Sequence, residues 1–370
     1  MKQDTIFFSC GDRSADNYLS LLLQKLSHLT DNVKFSVLAG EKSKPFAHVF
    51  LANVVDFDAH GFFSPFTQFY RFLKLYFIVK QYIRMEKPKL VVLLDFYGFN
   101  INIARIAKKL GCKVVYYITP QVWASRMNRV KKIKRYVDYV INILPFESKI
   151  FVEKGVNAFY FGHPMVELIN FTTQKSNIIG LFPGSRKQVI KWNLPVMLKI
   201  VQFFLNNYSK EYEFVIFGFD KYEKLYKNIV QKFLSKNFRQ YIKLQTSSDK
   251  RTEIVFALTV SGTVSLENVF YNIPMVVIYN LPWIMYFLLK RIVYVKHISL
   301  PNLILNDKVV PEFIKNKINI KEICDYMKTI LSDNEERNKV LNRYSLIRKI
   351  LGENKDVSLN VASKLLQSLS

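Results

Sequence analysis

The residue best placed to move a proton is an aspartate that directly follows a buried strand. Leu90 to Leu94 is a continuous apolar run, and at Asp95 the chain leaves the sheet. A carboxylate there loses part of its hydration, which raises its pKa toward the range of a general base. On position alone, capping of a helix near Asn100 explains Asp95 equally well. Two later turns suit phosphate. Gly184-Ser185-Arg186 follows the strand-like Ile178 to Phe182, and Ser261-Gly262-Thr263 follows the apolar run Ile254 to Val260. A Gly with hydroxyl neighbours at a strand-to-helix turn presents free N–H groups and a positive helix end. Arg186 adds a guanidinium fork. Glu267, one helical turn beyond Gly262, could accept hydrogen bonds from ribose hydroxyls. Ordinary capped helix starts would use the same residues, but two such turns in one half of the chain favour a diphosphate held between strand ends. Neither turn is a P-loop and there is no GxGxxG, so ATP cleavage and NAD binding lack support and no cofactor is expected.

Other polar groups are less pointed. Ser14 and Asp16, in Gly11-Asp12-Arg13-Ser14-Ala15-Asp16, lie after the first apolar strand and so at the same sheet edge as Asp95. Asp56-Phe57-Asp58 has the form of a metal-binding DxD but no strand-end context, and no metal is expected. His163 in Gly162-His163-Pro164 reads first as a packed, hydrogen-bonded histidine. The segment from Phe62 to Ile78 is dense in aromatics, with Phe62, Phe63, Phe66, Phe69 and Phe72 interleaved with Arg71 and Lys74. Aromatic nearly all round and basic at its edges, it suits an interfacial helix on an anionic leaflet. A buried core helix fits almost as well.

Composition narrows the setting. The chain has 370 residues, half of them apolar, with a net charge of +25. That length suits two domains rather than one core. The charge points to nucleic acid, an anionic membrane surface or phosphorylated substrates. The basic residues are spread over the chain and no nucleic-acid module accompanies them, so nucleic acid ranks last. Cys10, Cys112 and Cys324 lie far apart without metal spacing, as expected of small hydrophobes in a reducing compartment. No signal segment and no apolar run of about 20 residues is seen, so a cytoplasmic protein is expected.

The elements that must carry these groups alternate between short β-rich runs and amphipathic helices, the pattern of parallel βα units. Strands are expected at Thr5–Ser9, Leu90–Leu94, Lys113–Ile118, Tyr139–Leu144 and Ala158–Phe161, with helices at about Ser14–Leu26 and Ile101–Leu110. After a linker around Ile169–Ser176 a second series begins. The expectation is an α/β protein with two doubly wound, Rossmann-like domains facing across a cleft, ligands sitting at the carboxyl ends of the strands. The boundaries are 1–170, 171–320 and a helical 321–370 that packs back on the first domain or on a partner chain.

In this order the segments resemble the lipid-A-disaccharide synthase family, inverting glycosyltransferases of the GT-B fold. The resemblance rests on Gly11–Asp16 against GEASGD, Leu94–Asn100 against IDAPDFN and Tyr117–Arg126 against YVSPSVWAWR. Leu144–Glu147 matches LPFE, Gly162–Pro164 GHP, Leu181–Arg186 LPGSR and Ser261–Glu267 SGTxxLE. Pro274–Val277 matches PMVV and Ser299–Asn302 SLPN. The resemblance implies transfer of 2,3-diacylglucosamine from its UDP ester to 2,3-diacylglucosamine 1-phosphate, giving a β-1,6 disaccharide and UDP. It assigns Asp95 as base and Gly184, Ser185, Arg186, Gly262, Thr263, Glu267 and Asn302 to the UDP-sugar. Ser14, Asp16, Asn100, Trp123 and Arg126 are expected to line the acceptor site or the cleft. The partners implied are the two acylated sugars and an anionic membrane surface, with the enzyme peripheral on the inner face of the inner membrane; a homodimer is compatible. The chain departs from the pattern at Asp12, Gly98, Val189 and Lys315. Rival readings are another UDP-sugar enzyme of the same fold, such as an N-acetylglucosamine transferase or epimerase, and a catalytically silent membrane-surface homologue.

Overall fold

The computed structural model describes residues 3–55, 65–169, 176–246, 253–282, 296–314 and 318–369. The chain divides into two compact units, Met1–Glu167 with Leu351–Ser370, and Leu168–Ile350. Asp56, Asp58, Phe62, Phe63, the linker at 170–175 and Lys315 lie outside the described residues, as do the side chains of Phe66 and Phe69.

The first unit runs β1 (Asp4–Cys10), α1 (Arg13–Leu29), β2 (Val33–Ala39), β3 (Val49–Asn53), α2 (Pro65–Glu86), β4 (Leu90–Leu94), α3 (Tyr97–Lys109) and β5 (Lys113–Tyr117). It continues through α4 (Val122–Ser125), α5 (Asn128–Tyr136), β6 (Tyr139–Asn142), α6 (Pro145–Glu153) and β7 (Ala158–Tyr160). Its strands form one parallel sheet in the order β3-β2-β1-β4-β5-β6-β7. The strand order reverses between β1 and β4, whose last residues, Cys10 and Leu94, are paired. β4 is buried along its whole length, as the unbroken Leu-Val-Val-Leu-Leu run requires of a strand covered on both faces.

The second unit runs β8 (Ile178–Phe182), α7 (Lys187–Asn207), β9 (Glu213–Phe217), α8 (Glu223–Phe233), β10 (Ile242–Gln245), β11 (Ile254–Thr259), α9 (Thr263–Phe270) and β12 (Met275–Tyr279). Then come α10 (Leu300–Leu305), β13 (Glu312–Ile314), α11 (Ile320–Ser332) and α12 (Asn334–Ile350). The sheet is again parallel, β10-β9-β8-β11-β12-β13, with its order reversing between β8 and β11, where Phe182 pairs with Thr259. The helical C-terminal stretch is shared: α11 and α12 belong to the second unit, while α13 (Val357–Leu366) packs on α1 of the first.

Two helices differ from their sequence pattern. α3 starts at Tyr97 rather than near Ile101, which draws Asn100 into the helix. α2 is not aromatic all round: Leu75, Val79 and Ile83 recur every four residues and are buried in the first unit's core. The opposite side leaves Tyr70, Leu73, Phe77 and Ile78 exposed beside Arg71 and Lys74. The core reading thus describes the buried face of α2, and the other face is exposed. Among the described residues no helix is long and apolar enough to cross a membrane, and all three cysteines are buried free thiols.

Candidate active site

In open α/β sheets ligands bind outside the carboxyl ends of the strands where the strand order reverses. At that point of the first unit stand Gly11 and Asp12 after β1 and Asp95 after β4. Phe96 lies over Gly11 so closely that a Cβ there would come within 2.3 Å of the ring. The turn after β4 is strained. Asp95 and Phe96 both have positive φ, 42° and 46°, and so does the neighbouring β-branched Ile118 at 61°. Such backbone costs of order 1–3 kcal/mol per residue and concentrates at functional sites. The Asp95 N–H donates to the Ile118 carbonyl at 2.9 Å, and the buried Tyr116 hydroxyl donates to the Asp95 carbonyl. The main chain is thus fixed from both sides while the carboxyl stays partly exposed.

That carboxyl hydrogen-bonds to the carboxyl of Asp12. Burial first, then the Asp12 hydrogen bond and charge, push Asp95 up to about 7, against a smaller downward pull from the Phe96 N–H and the Arg129 charge. An acid adjusted to near neutrality can take and return a proton at physiological pH. Asp12 also caps α1, accepting from the Ala15 N–H at 2.7 Å. Arg129 lies 4.3 Å from the Tyr97 ring centre, stacked on its face. Neither Asp12 nor Arg129 stands out as catalytic in the sequence. Their signals are the first-strand end for Asp12, and for Arg129 one member of a basic run that reads as solvated helix.

Three residues expected on the acceptor side have their polar side chains engaged within the first unit. Asp16 is buried, its carboxylate accepting from the Gly40 N–H (3.0 Å), the Lys42 N–H (3.1 Å) and the Ser43 hydroxyl (2.6 Å), so it ties down the turn after β2. Asn100 is buried: it accepts from the Ser9 hydroxyl at 2.6 Å and donates to the carbonyls of Ser9, Leu94 and Asp95, joining the ends of β1 and β4. Trp123 is buried and donates to Glu147 Oε1 at 3.0 Å. Burial drives Glu147 up to about 8, outweighing that hydrogen bond. The partners lie far away in sequence, so their local patterns do not show them. Ser14 and Arg126 are exposed, Ser14 in the first turn of α1 and Arg126 after α4. His163 is buried, receives the Met165 N–H on Nδ1 at 3.1 Å, stacks edge-on with Tyr18, and is pushed down to about 3 by burial.

In the second unit the two glycine turns follow the paired ends of β8 and β11. Gly184 and Gly262 have φ of 108° and 145°, which only glycine adopts without strain; Gly184 lies two residues before the N-cap of α7, and Gly262 is the N-cap of α9. Arg186 is the exposed N-cap residue of α7 and makes no side-chain cap, Ser185 is exposed beside it, and Val189 packs on Gly184. Thr263 opens α9 and Glu267 sits half-buried four residues on. Ser261 donates to the Ile298 carbonyl at 2.6 Å. Asn302 is buried, accepting from the N–H groups of Val309 and Val310 and donating to the Val310 carbonyl and to Glu312 Oε1. Glu312 also receives the N–H groups of Ile298 and Ser299 and the Ser299 hydroxyl. Asn302 therefore organises this loop through its side chain. Among the described residues no group of three or more His, Cys, Asp or Glu is arranged to hold a metal.

Two doubly wound parallel sheets, one with a raised strand-end carboxyl and the other with two glycine turns opening helices, define the GT-B class of nucleotide-sugar enzymes. Residues 6–367 match the model of the Lipid-A-disaccharide synthetase family, and the chain belongs to that family. The lipid-A-disaccharide synthase of Sulfurihydrogenibium sp. (strain YO3AOP1) is 30% identical over 98% of this chain and 98% of its own length. That of Trichlorobacter lovleyi is 29% identical over 94% and 93%. Solved structures share the fold at low identity. UDP-GlcNAc 2-epimerase from Neisseria meningitidis bound to UDP-GlcNAc aligns with a TM-score of 0.68 at 12% identity, over 98% of this chain and all of that one. MurG of Acinetobacter baumannii aligns with a TM-score of 0.57 at 12% identity, over 99% and 100%.

Proposed function

We propose that the protein transfers 2,3-diacylglucosamine from its UDP ester to the 6-hydroxyl of 2,3-diacylglucosamine 1-phosphate with inversion, giving the β-1,6 disaccharide 1-phosphate and UDP. The observation that carries this reading is Asp95, a half-buried carboxyl at the strand-order reversal raised to about 7. Asp95 takes the acceptor proton as the hydroxyl oxygen bonds to the anomeric carbon. The bond from that carbon to the diphosphate oxygen breaks, and its electron pair leaves with UDP. The N–H groups that open α7 and α9, with the Arg186 guanidinium, neutralise the charge that grows on the leaving diphosphate. Glu267 accepts from the ribose hydroxyls, and Asn302 acts by holding the Glu312 loop. Membership of the family and the raised strand-end acid support this assignment, and the shared fold of an epimerase bound to UDP-GlcNAc favours a UDP-sugar. The exposed face of α2, with Tyr70, Phe77 and Ile78 beside Arg71 and Lys74, serves as contact with an anionic membrane at its cytoplasmic surface.

The test is to incubate the pure protein with both acylated sugars and follow UDP release and disaccharide formation. Donor hydrolysis without disaccharide, or no UDP release, overturns the reading. Asp95→Asn keeps the shape but removes the proton acceptor, so turnover should fall by roughly 10²–10⁴-fold with UDP binding retained. Turnover within about tenfold of wild type would remove Asp95 as base.

A further inference from the structure

A groove opens on the first unit between α2 and α3, enclosing about 490 Å³. Among the described residues its walls are chiefly Phe72, Leu73 and Tyr76 from α2 and Phe96, Gly98 and Phe99 at the start of α3. That volume is typical of a small-ligand pocket, yet the walls are mostly ring faces and aliphatic carbon. Asn102 also borders the groove, but its amide donates to the Gly98 carbonyl at 2.9 Å and so is turned to its own helix. Phe96 stacks on Phe99 with ring centres 5.3 Å apart and meets Phe72 at 5.7 Å. The rings brace one another along the groove.

Gly98 is what leaves the groove open. A Cβ built there would meet nothing within 4 Å, and its φ lies outside the left-handed region, so neither packing nor backbone requires glycine. Glycine in a helix is the less stable choice. The space is also next to the chemistry, because Phe96 directly follows Asp95. A hydroxyl brought to Asp95 carries the other substituents of its sugar along this edge.

We propose that the groove between α2 and α3 is the subsite for an acyl chain of the acceptor sugar, and that Gly98 sets the length and bulk of chain it admits. The inference rests on the reading of Asp95 as the base that meets the acceptor. An acyl chain needs apolar walls and no hydrogen-bond partners, as this groove provides.

Two variants narrow the groove from opposite walls, Gly98→Leu from α3 and Leu73→Trp from α2. They are compared with wild type at fixed donor, using acceptors that differ only in acyl length, and the same acceptors are titrated calorimetrically without donor. Each methylene lodged in an apolar groove contributes about fourfold in affinity. Excluding two or three methylenes should therefore raise KM and Kd for the long-chain acceptor more than tenfold. Short-chain acceptors should be unaffected, with kcat within about threefold throughout. Affinities that shift equally for all chain lengths, or not at all, in both variants overturn the proposal. So does a change confined to donor KM, which would place the donor's chain here, or a loss of liposome binding with the chain-length profile intact, which would make the groove a membrane contact. If wild type binds acceptors with a length dependence that the variants abolish but releases no UDP, the groove stands and the transferase reading falls.

Discussion

Replacing Asp12 by Asn isolates one cause of the raised acidity of Asp95. Asn keeps an oxygen for the Ala15 N–H, now 2.7 Å from Asp12 Oδ1, and Asn is among the best helix caps, so α1 should be undisturbed. The change removes a like charge and substitutes an amide that can donate to the Asp95 carboxylate. Asp95 rises from the usual 3.8 to about 7, at most about 4 kcal/mol of preference for the neutral form. Burial is the largest cause and is unchanged; the Asp12 hydrogen bond and charge come next. The ascending limb of kcat/KM against pH, which reports the free enzyme, should therefore move from about 7 in wild type down by on the order of one pH unit. At pH 6 about a tenth of wild-type Asp95 is ionised and about half in the variant. Relative to its own plateau, the variant should then run roughly fivefold faster at that pH. Arg129→Ala should move the same limb upward, because the Arg129 charge favours the ionised form. A limb that stays put or rises in Asp12→Asn would refute the paired-carboxyl account.

Other expectations test separate parts of the structure. Arg186→Ala and Glu267→Ala should each weaken UDP binding about ten- to hundredfold by calorimetry, the scale of a hydrogen bond to a charged group. Unchanged affinity in both would exclude these turns as the nucleotide site, and a collapsed melting temperature for the Glu267 variant would reduce that residue to a helix-terminal role. Glu147 is held protonated by burial, so the stability it lends is complete below about 4.5 and lost as pH climbs to about 8. Urea denaturation of Glu147→Gln should lack that loss, and parallel pH profiles for variant and wild type would count against a buried neutral acid. Serine at Tyr70, Phe77 and Ile78 together should release the protein from anionic liposomes without early melting, since all three side chains are exposed; undiminished sedimentation would rule this face out.

The doubly wound fold was legible because its strands are short, apolar and separated by amphipathic helices, and β4 shows its burial in composition alone. Asp95 was legible for the same reason, as the first polar residue after such a run. The start of α3 was less legible because it is set by left-handed backbone at Asp95 and Phe96, a conformation that aspartate tolerates but phenylalanine does not announce. Asp16 and Trp123 lie in motifs near strand ends, but their hydrogen-bond partners, the turn at Gly40–Ser43 and Glu147, lie 24 or more residues away, and only the folded chain brings them together. Arg129 was hidden in a basic run, where charge alone does not say which side chain turns back onto an aromatic ring. The two faces of α2 blurred together because its apolar residues exceed what one stripe can bury.

The order in which the ribosome delivers this chain sets a constraint on its folding. α13 covers α1: Val361, Ala362 and Leu365 are buried, Lys25 pairs with Asp356 at 2.6 Å, and Glu167 receives the Ser358 N–H at 2.6 Å. The first unit is thus completed by residues synthesised only after all of Leu168–Ile350. At ordinary translation speeds the gap is on the order of 10–40 s. During that interval α1 waits without the helix that packs on it. A nascent chain stalled late in the second unit should therefore be a chaperone client and a target for proteolysis, although the seven strands of its first sheet have already emerged.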